Sequence, residues 1–274
     1  MAIKDILVHV DASAGRNASM EAAIRLAQAH DAHLTGLYVL YPPFFPMYGP
    51  EQIPTEFFEK QLEADRQRAG EAETHFNQAA DHAGIAHEWR CVEGPVSEAI
   101  ADHAHSCDLV VLAQRDPDSQ RNDDMPDGAI LTVGRPVLII PYAGHADRIG
   151  KRVMVAWDAS AQAARAVHDA LPLLADAEEV DVVAINANGS NRAGEIPCAD
   201  ISRHLARHGI PAEAQSLTVR DVGIADMLLS RAADRGIDLF VMGAYGHSRW
   251  RELVLGGVTA HMLEHMTMPV LMAH

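Results

Sequence analysis

Three glycines define the chemistry this sequence is best equipped for. Gly243, Gly246 and Gly256 follow the apolar run Leu239-Phe240-Val241-Met242 at the spacing Gly-x2-Gly-x9-Gly, with Gly257 directly after them. The apolar run reads as a buried parallel strand, and the segment after it as a loop ahead of a helix starting near Gly257. Such a loop suits phosphate. Without side chains the backbone can approach an anion, successive N–H groups can converge on it, and the helix adds its positive N-terminal end. At any single glycine, turn punctuation is the favoured explanation; three at this spacing point to an anion. His247, Ser248 and Arg249 stand inside the loop as further donors, and Arg249 supplies the cation that a triphosphate needs in an acidic protein. For His247 and Ser248 a solvated loop is an equal alternative.

The pattern Met242-Gly243-x2-Gly246-x9-Gly256, followed by a short helix and Met268-Pro269-Val270-Leu271, resembles the nucleotide-binding end of universal stress proteins. The resemblance extends over nearly the whole chain, because the domain appears twice. It implies two doubly wound α/β domains of the adenine nucleotide alpha hydrolase type, strand order 3-2-1-4-5, with an adenine nucleotide between strands 1 and 4. The implied ligand is ATP, with or without Mg²⁺, in the C-terminal domain. Carried over position by position, Asp158 meets the ribose or a metal-bridged phosphate, with Trp157 beside it. Ile185 or Asn186 offers backbone groups to the adenine. Met242 and Gly243 end the fourth strand, Gly246 follows, and Gly256, Gly257 and Val258 begin the last helix against the phosphates. One position departs from the family, which has Ser or Thr where this chain has Gly257, and the lost hydroxyl implies weaker affinity.

The elements that must hold these residues recur. Ile6-Leu7-Val8-His9-Val10-Asp11-Ala12-Ser13 matches Val153-Met154-Val155-Ala156-Trp157-Asp158-Ala159-Ser160. Asp108-Leu109-Val110-Val111-Leu112 matches Asp238-Leu239-Phe240-Val241-Met242, and Pro136-Val137-Leu138-Ile139-Ile140 matches Pro269-Val270-Leu271-Met272. Three matches in one order mean duplication. We place the domains at 1–143 and 150–274, joined by a polar linker over 142–150. Helical stripes at 19–30 and 161–174 precede apolar strands at 34–40 and 180–185, an alternation that implies parallel sheets covered on both faces. The fifth strands, 138–140 and 270–272, are edge candidates, and the resemblance implies that such strands pair. The halves would then form an internal pseudo-dimer, and whole chains could associate further.

The halves differ after their second strands. The first inserts a proline-rich loop over 41–50 with four aromatics, and then a charged helix from about Glu56 to Ala83. The loop could cover a pocket, meet a partner, or cap the local core. Where the second half has its glycines, the first has Asp116, Asp118, Asp123, Asp124 and Asp127, which repel phosphate. We therefore expect an empty or repurposed first site, since the aspartates lack the spacing of a Mg²⁺ loop. Asp158 and Asp11 both stand before a helix, so capping must explain at least one of them.

The bulk composition narrows the rest. In 274 residues a formal net charge of −16 disfavours nucleic acid and anionic membranes. No membrane span or signal-peptide core is apparent, so the expected location is cytoplasmic. Cys91, Cys107 and Cys198 are too few for a disulfide framework or a cysteine zinc site. Gly144 to Lys151 fails as a P-loop in spacing, and no dinucleotide fingerprint follows the first strand. His261-x3-His265 and His204-x3-His208 lack a third ligand and read as surface histidines. No nucleophile or base can be recognised, so slow ATP hydrolysis is the most catalysis expected. The leading function is a nucleotide-responsive stress signalling or protective protein. Behind it stand a nucleotide-free interaction scaffold using 41–50 and, less favoured, an ATP-using adenylating enzyme.

Overall fold

The computed structural model describes residues 2–11, 17–40, 55–115, 125–143, 148–185, 198–217, 223–245 and 257–274, with the backbone alone at 55–59, 61 and 185. The first half contains β1 (Asp5–His9), α1 (Ala18–His30), β2 (His33–Leu40), α2 (Thr55–Ala83), β3 (His87–Glu93), α3 (Val96–Ala104), β4 (Leu109–Ala113), α4 (Asp127–Thr132) and β5 (Val137–Ile140). The second repeats the order with β6 (Arg152–Ala156), α5 (Ala161–Leu174), β7 (Glu179–Ile185), α6 (Ala199–Arg207), β8 (Ala212–Leu217), α7 (Ile224–Asp234), β9 (Leu239–Gly243), α8 (Gly257–His265) and β10 (Val270–Ala273). Each half is a parallel sheet with the expected order 3-2-1-4-5. Among the described residues no helix is long and apolar enough to cross a membrane.

The halves are joined at their fifth strands. β5 and β10 pair antiparallel with Val270 opposite Ile139, Leu271 opposite Leu138 and Met272 opposite Val137. Leu138 and Leu271 are matching positions of the repeat and face each other, so a local twofold axis passes between them. One ten-stranded sheet results, in the order β3-β2-β1-β4-β5-β10-β9-β6-β7-β8. This is the internal pseudo-dimer implied above, and it leaves β3 and β8 as the outer edges.

Because side chains alternate along a strand, each apolar strand feeds two cores. Leu138, Ile140, Leu271 and Ala273 face one layer, closed by α1, α2, α5 and α6 through Met20, Ala23, Phe76, Ala166, Val167 and Leu205. Val137, Ile139, Val270 and Met272 face the other, closed by α3, α4, α7 and α8 through Ile100, Ile130, Leu228 and Met262. Each layer runs through both halves. On β2, Gly36 makes room for rings: a Cβ there would lie 2.8 Å from Trp89 and 2.9 Å from Phe76. That contact seats the long, charged α2 on β2 and β3.

Gln114, just after β4, secures the seam between the halves. Its side-chain nitrogen donates to the carbonyls of Leu263, at 2.8 Å, and Glu264, at 3.1 Å, near the end of α8. Its oxygen accepts from Tyr142 N at 3.1 Å, and the residue is 3% exposed. One amide thus satisfies two terminal carbonyls of a helix belonging to the other repeat. Gln114→Leu leaves these groups unpaired and should cost ~2 kcal/mol, read as a lower urea midpoint. An unchanged midpoint would show that the seam does not need this amide.

A charged cluster sits at the opposite end of the second half-sheet. Asp181, on β7, has no exposed side-chain surface; its Oδ1 accepts from Gln215 at 2.8 Å, and its Oδ2 lies 2.6 Å from Arg235 Nε. Arg235 also bonds Glu179, which Arg152 reaches at 3.0 Å. Burial pushes the Asp181 carboxyl above its ordinary value of 3.8, with Arg235 opposing and Glu179 reinforcing the shift. The folded state therefore holds this proton more firmly than the unfolded chain. The resulting stability is present below pH 3.8 and is lost as pH rises through the raised value. Asp181→Asn has no proton to lose, and Arg235 keeps Glu179. At neutral pH its urea midpoint should match or exceed that of the native chain, with the gap closing in acid; a lower midpoint at pH 7 would refute this.

Candidate functional site

The winding order reverses between the parallel neighbours β6 and β9. From β6 the chain turns to α5 on one face, and from β9 it leads to α8 on the other, which opens a crevice at the carboxyl ends of these strands. Both helices begin at that end, so their unpaired N–H groups face the same region. The crevice is a consequence of winding order. The side chains along its rim determine what it can hold.

On the β6 side, Trp157 N donates to Val183 O at 2.9 Å, continuing the ladder with β7. Asp158 Oδ1 accepts from Ser160 N at 2.9 Å and bends the chain, with Ala159 in the left-handed region at φ 60°. Ser160 is the cap of α5, its hydroxyl accepting from Ala163 N at 3.1 Å. Capping therefore explains neither aspartate directly. Asp158 shapes the turn that delivers Ser160, and α1 is capped by Asn17, whose Oδ1 accepts from Met20 N at 3.0 Å, rather than by Asp11.

On the β9 side, Gly243 ends the strand with an ordinary negative φ. A Cβ there would lie 2.5 Å from Ala163 N and 2.6 Å from Gln162 C. The glycine is needed because the first turn of α5 lies directly on the strand end. This is a packing reason that neither turn punctuation nor an anion cradle anticipates. The contact also brings the N-terminus of α5, with Asp158 and Ser160, against the end of β9. Ala113 occupies the matching position in the first half.

Tyr245 follows with φ 50°, a strained value for a tyrosine. Its N–H points at Thr259 Oγ1, 3.5 Å away in the first turn of α8. A hydroxyl is thus present near the start of that helix, two positions beyond the one where Gly257 lacks it. The Tyr245 hydroxyl hydrogen-bonds Asp127 Oδ1 at the start of α4 in the other repeat. Burial, reinforced by that carboxylate, pushes the phenol far above its usual range. Asp127 is the one member of the aspartate series that lies among the described residues.

Met242 is buried and Val258 packs on the same core layer, so both can offer a ligand only backbone groups. Gly257 opens α8, and Ile185 ends β7 opposite Leu217. Trp157, Asp158, Met242, Gly243, Gly257 and Val258 are therefore arranged around the ends of β6 and β9. Asn186, Gly246, His247, Ser248, Arg249 and Gly256 lie outside the described residues, as do the aromatic loop over 41–50 and Asp116, Asp118, Asp123 and Asp124. Ser160, Thr259 and the bond from Tyr245 to Asp127 were not foreseen as parts of the site. The Asp-Ala-Ser signature before α5 contained the first of them.

The histidine pairs have local partners. The His261 and His265 rings stack with centroids 4.1 Å apart; His261 Nε2 meets Asp226 Oδ1 at 2.7 Å, and His265 Nδ1 meets His261 O at 3.0 Å. His204 and His208 contact edge to face. Among the described residues no group of three His, Cys, Asp or Glu side chains is placed to hold a metal.

The universal stress protein family model matches residues 2–122 and 150–274. Universal stress protein Slr1230 of Synechocystis sp. is 30% identical over 145 residues, covering 52% of this chain and 48% of the relative, so the match spans about half of that protein. A universal stress protein structure from Archaeoglobus fulgidus DSM 4304 superposes with a TM-score of 0.74 at 16% identity, over 98% of this chain and 95% of that one. A Pseudomonas aeruginosa UCBPP-PA14 structure described as a universal stress protein gives a TM-score of 0.60 at 16% identity, over 99% and 93%. With the family model matched over both repeats and the fold shared along its length, this chain belongs to the universal stress protein family.

Proposed function

We propose that the C-terminal half binds an adenine nucleotide, ATP, in the crevice between β6 and β9, and that the chain acts as a nucleotide-responsive stress signalling or protective protein of the cytoplasm. The observation that carries this reading is the backbone contact at Gly243. It sets the N-terminus of α5 against the end of β9, within the crevice toward which α8 also begins. Two helix N-termini at one switch point favour an anionic ligand, and Asp158 at the rim can accept from ribose hydroxyls or hold a bridging Mg²⁺. The Gly246 to Gly256 segment would supply the remaining amides. In this reading turnover of ATP is at most slow. Further association of whole chains would use the β3 or β8 edges or the helical faces, because β5 and β10 already pair.

Two measurements test the ligand. Denaturing the purified protein and chromatographing what it releases should yield an adenine nucleotide, or calorimetry should give saturable binding of ATP or AMP; failure of both rejects the reading. Asp158→Ala should weaken binding about tenfold, or ~1.4 kcal/mol, together with a modest fall in urea midpoint from the lost bond to Ser160 N. Undiminished affinity in that variant would remove Asp158 from the site.

A further inference from the structure

At the opposite end of the sheet a second cleft opens where the two repeats meet. Arg25, Leu26 and Ala29 from the last turns of α1 line it on one side, and Arg148, Ile149, Lys151 and Glu178 on the other. Its volume is about 410 Å³, within the range of small-ligand sites. It lies beside the amino ends of β6 and β7, whereas the nucleotide crevice lies at their carboxyl ends.

The charge there is out of character for the chain. Acidic residues outnumber basic ones 38 to 22 overall, yet the cleft gathers three cations and one carboxylate. Arg25 has Glu21 at 3.9 Å on its own helix, and Lys151 Nζ donates to Asp176 O at 3.0 Å. Among the described residues no carboxylate pairs with Arg148. The remaining wall is apolar, made of Leu26, Ala29 and Ile149.

The segment leading into β6, which carries Lys151, is held in place. Asp238 Oδ1 accepts from the backbone N–H groups of Gly150, Lys151 and Arg152 at 2.9, 2.9 and 3.1 Å. Gly150, at φ 89°, presses so closely on α5 that a Cβ would lie 2.5 Å from Leu173 O. The backbone beneath Lys151 is therefore fixed before any ligand arrives, which lowers the ordering cost of binding.

We propose that this cleft is a second ligand site that takes a small organic phosphate. Two guanidinium groups and an ammonium suit a dianionic phosphate, and Leu26, Ala29 and Ile149 receive an apolar body attached to it. Glu178 on the rim disfavours ligands with a second anionic group nearby. The site is independent of the nucleotide reading, and each can fail alone.

Phenyl phosphate and inorganic phosphate serve as probes for calorimetry on the full chain. Phenyl phosphate should bind saturably and about tenfold or more tightly than inorganic phosphate, since its ring buries apolar surface. Arg25→Gln and Arg148→Gln, both surface changes, should each weaken it about tenfold while leaving the urea midpoint in place. Asp158→Ala and saturating ATP should leave phenyl phosphate binding unchanged. Absence of saturable binding, equal affinity for the two probes, indifference to both arginine changes, or displacement by ATP would each overturn the proposal.

Discussion

The antiparallel pairing of β5 with β10 is the contact on which the molecule depends. A parallel half-sheet ends in a strand with unpaired amides and carbonyls, and an apolar strand with such an edge cannot remain exposed. Val137 to Ile140 and Val270 to Ala273 are buried on both faces, so each is the other's necessary cover. The two core layers then have no boundary at the seam. Gln114 and Tyr245 reach over the same seam with polar contacts, so hydrogen bonds reinforce what the strands begin.

Much of this was legible because the two repeats report on each other. The helix over 161–174 is found at those bounds, since Ser160 caps it and its apolar stripe is regular. The charged helix after 41–50 begins at Thr55, one residue from its expected start. The third strands were not picked out by pattern. β3 reads His-Glu-Trp-Arg-Cys-Val-Glu and β8 reads Ala-Glu-Ala-Gln-Ser-Leu; these outer strands are partly exposed and lack the continuous apolar run that marks a central parallel strand. Their place followed only from alternation and the family resemblance.

The site was legible in composition and less so in cause. The requirement for no side chain at Gly243 could be read from the motif, but the atoms that impose it belong to Gln162 and Ala163, far upstream. Local spacing cannot reveal a constraint set by a distant helix. The same limit hid Tyr245 from Asp127 and kept the basic cleft from view. Arg25, Arg148 and Lys151 are scattered in a strongly acidic chain, and only folding brings them to one wall.

The axis between Leu138 and Leu271 bears on how the two copies could diverge after duplication. In sequence the first repeat carries five aspartates over 113–128 where the second has its glycines, so this stretch tolerates wide change. The repeat cannot lose its last strand, because its sister would be left with a bare flank. Each copy is thereby retained as a permanent subunit of the other, and its freedom to drift ends where its partner's backbone begins.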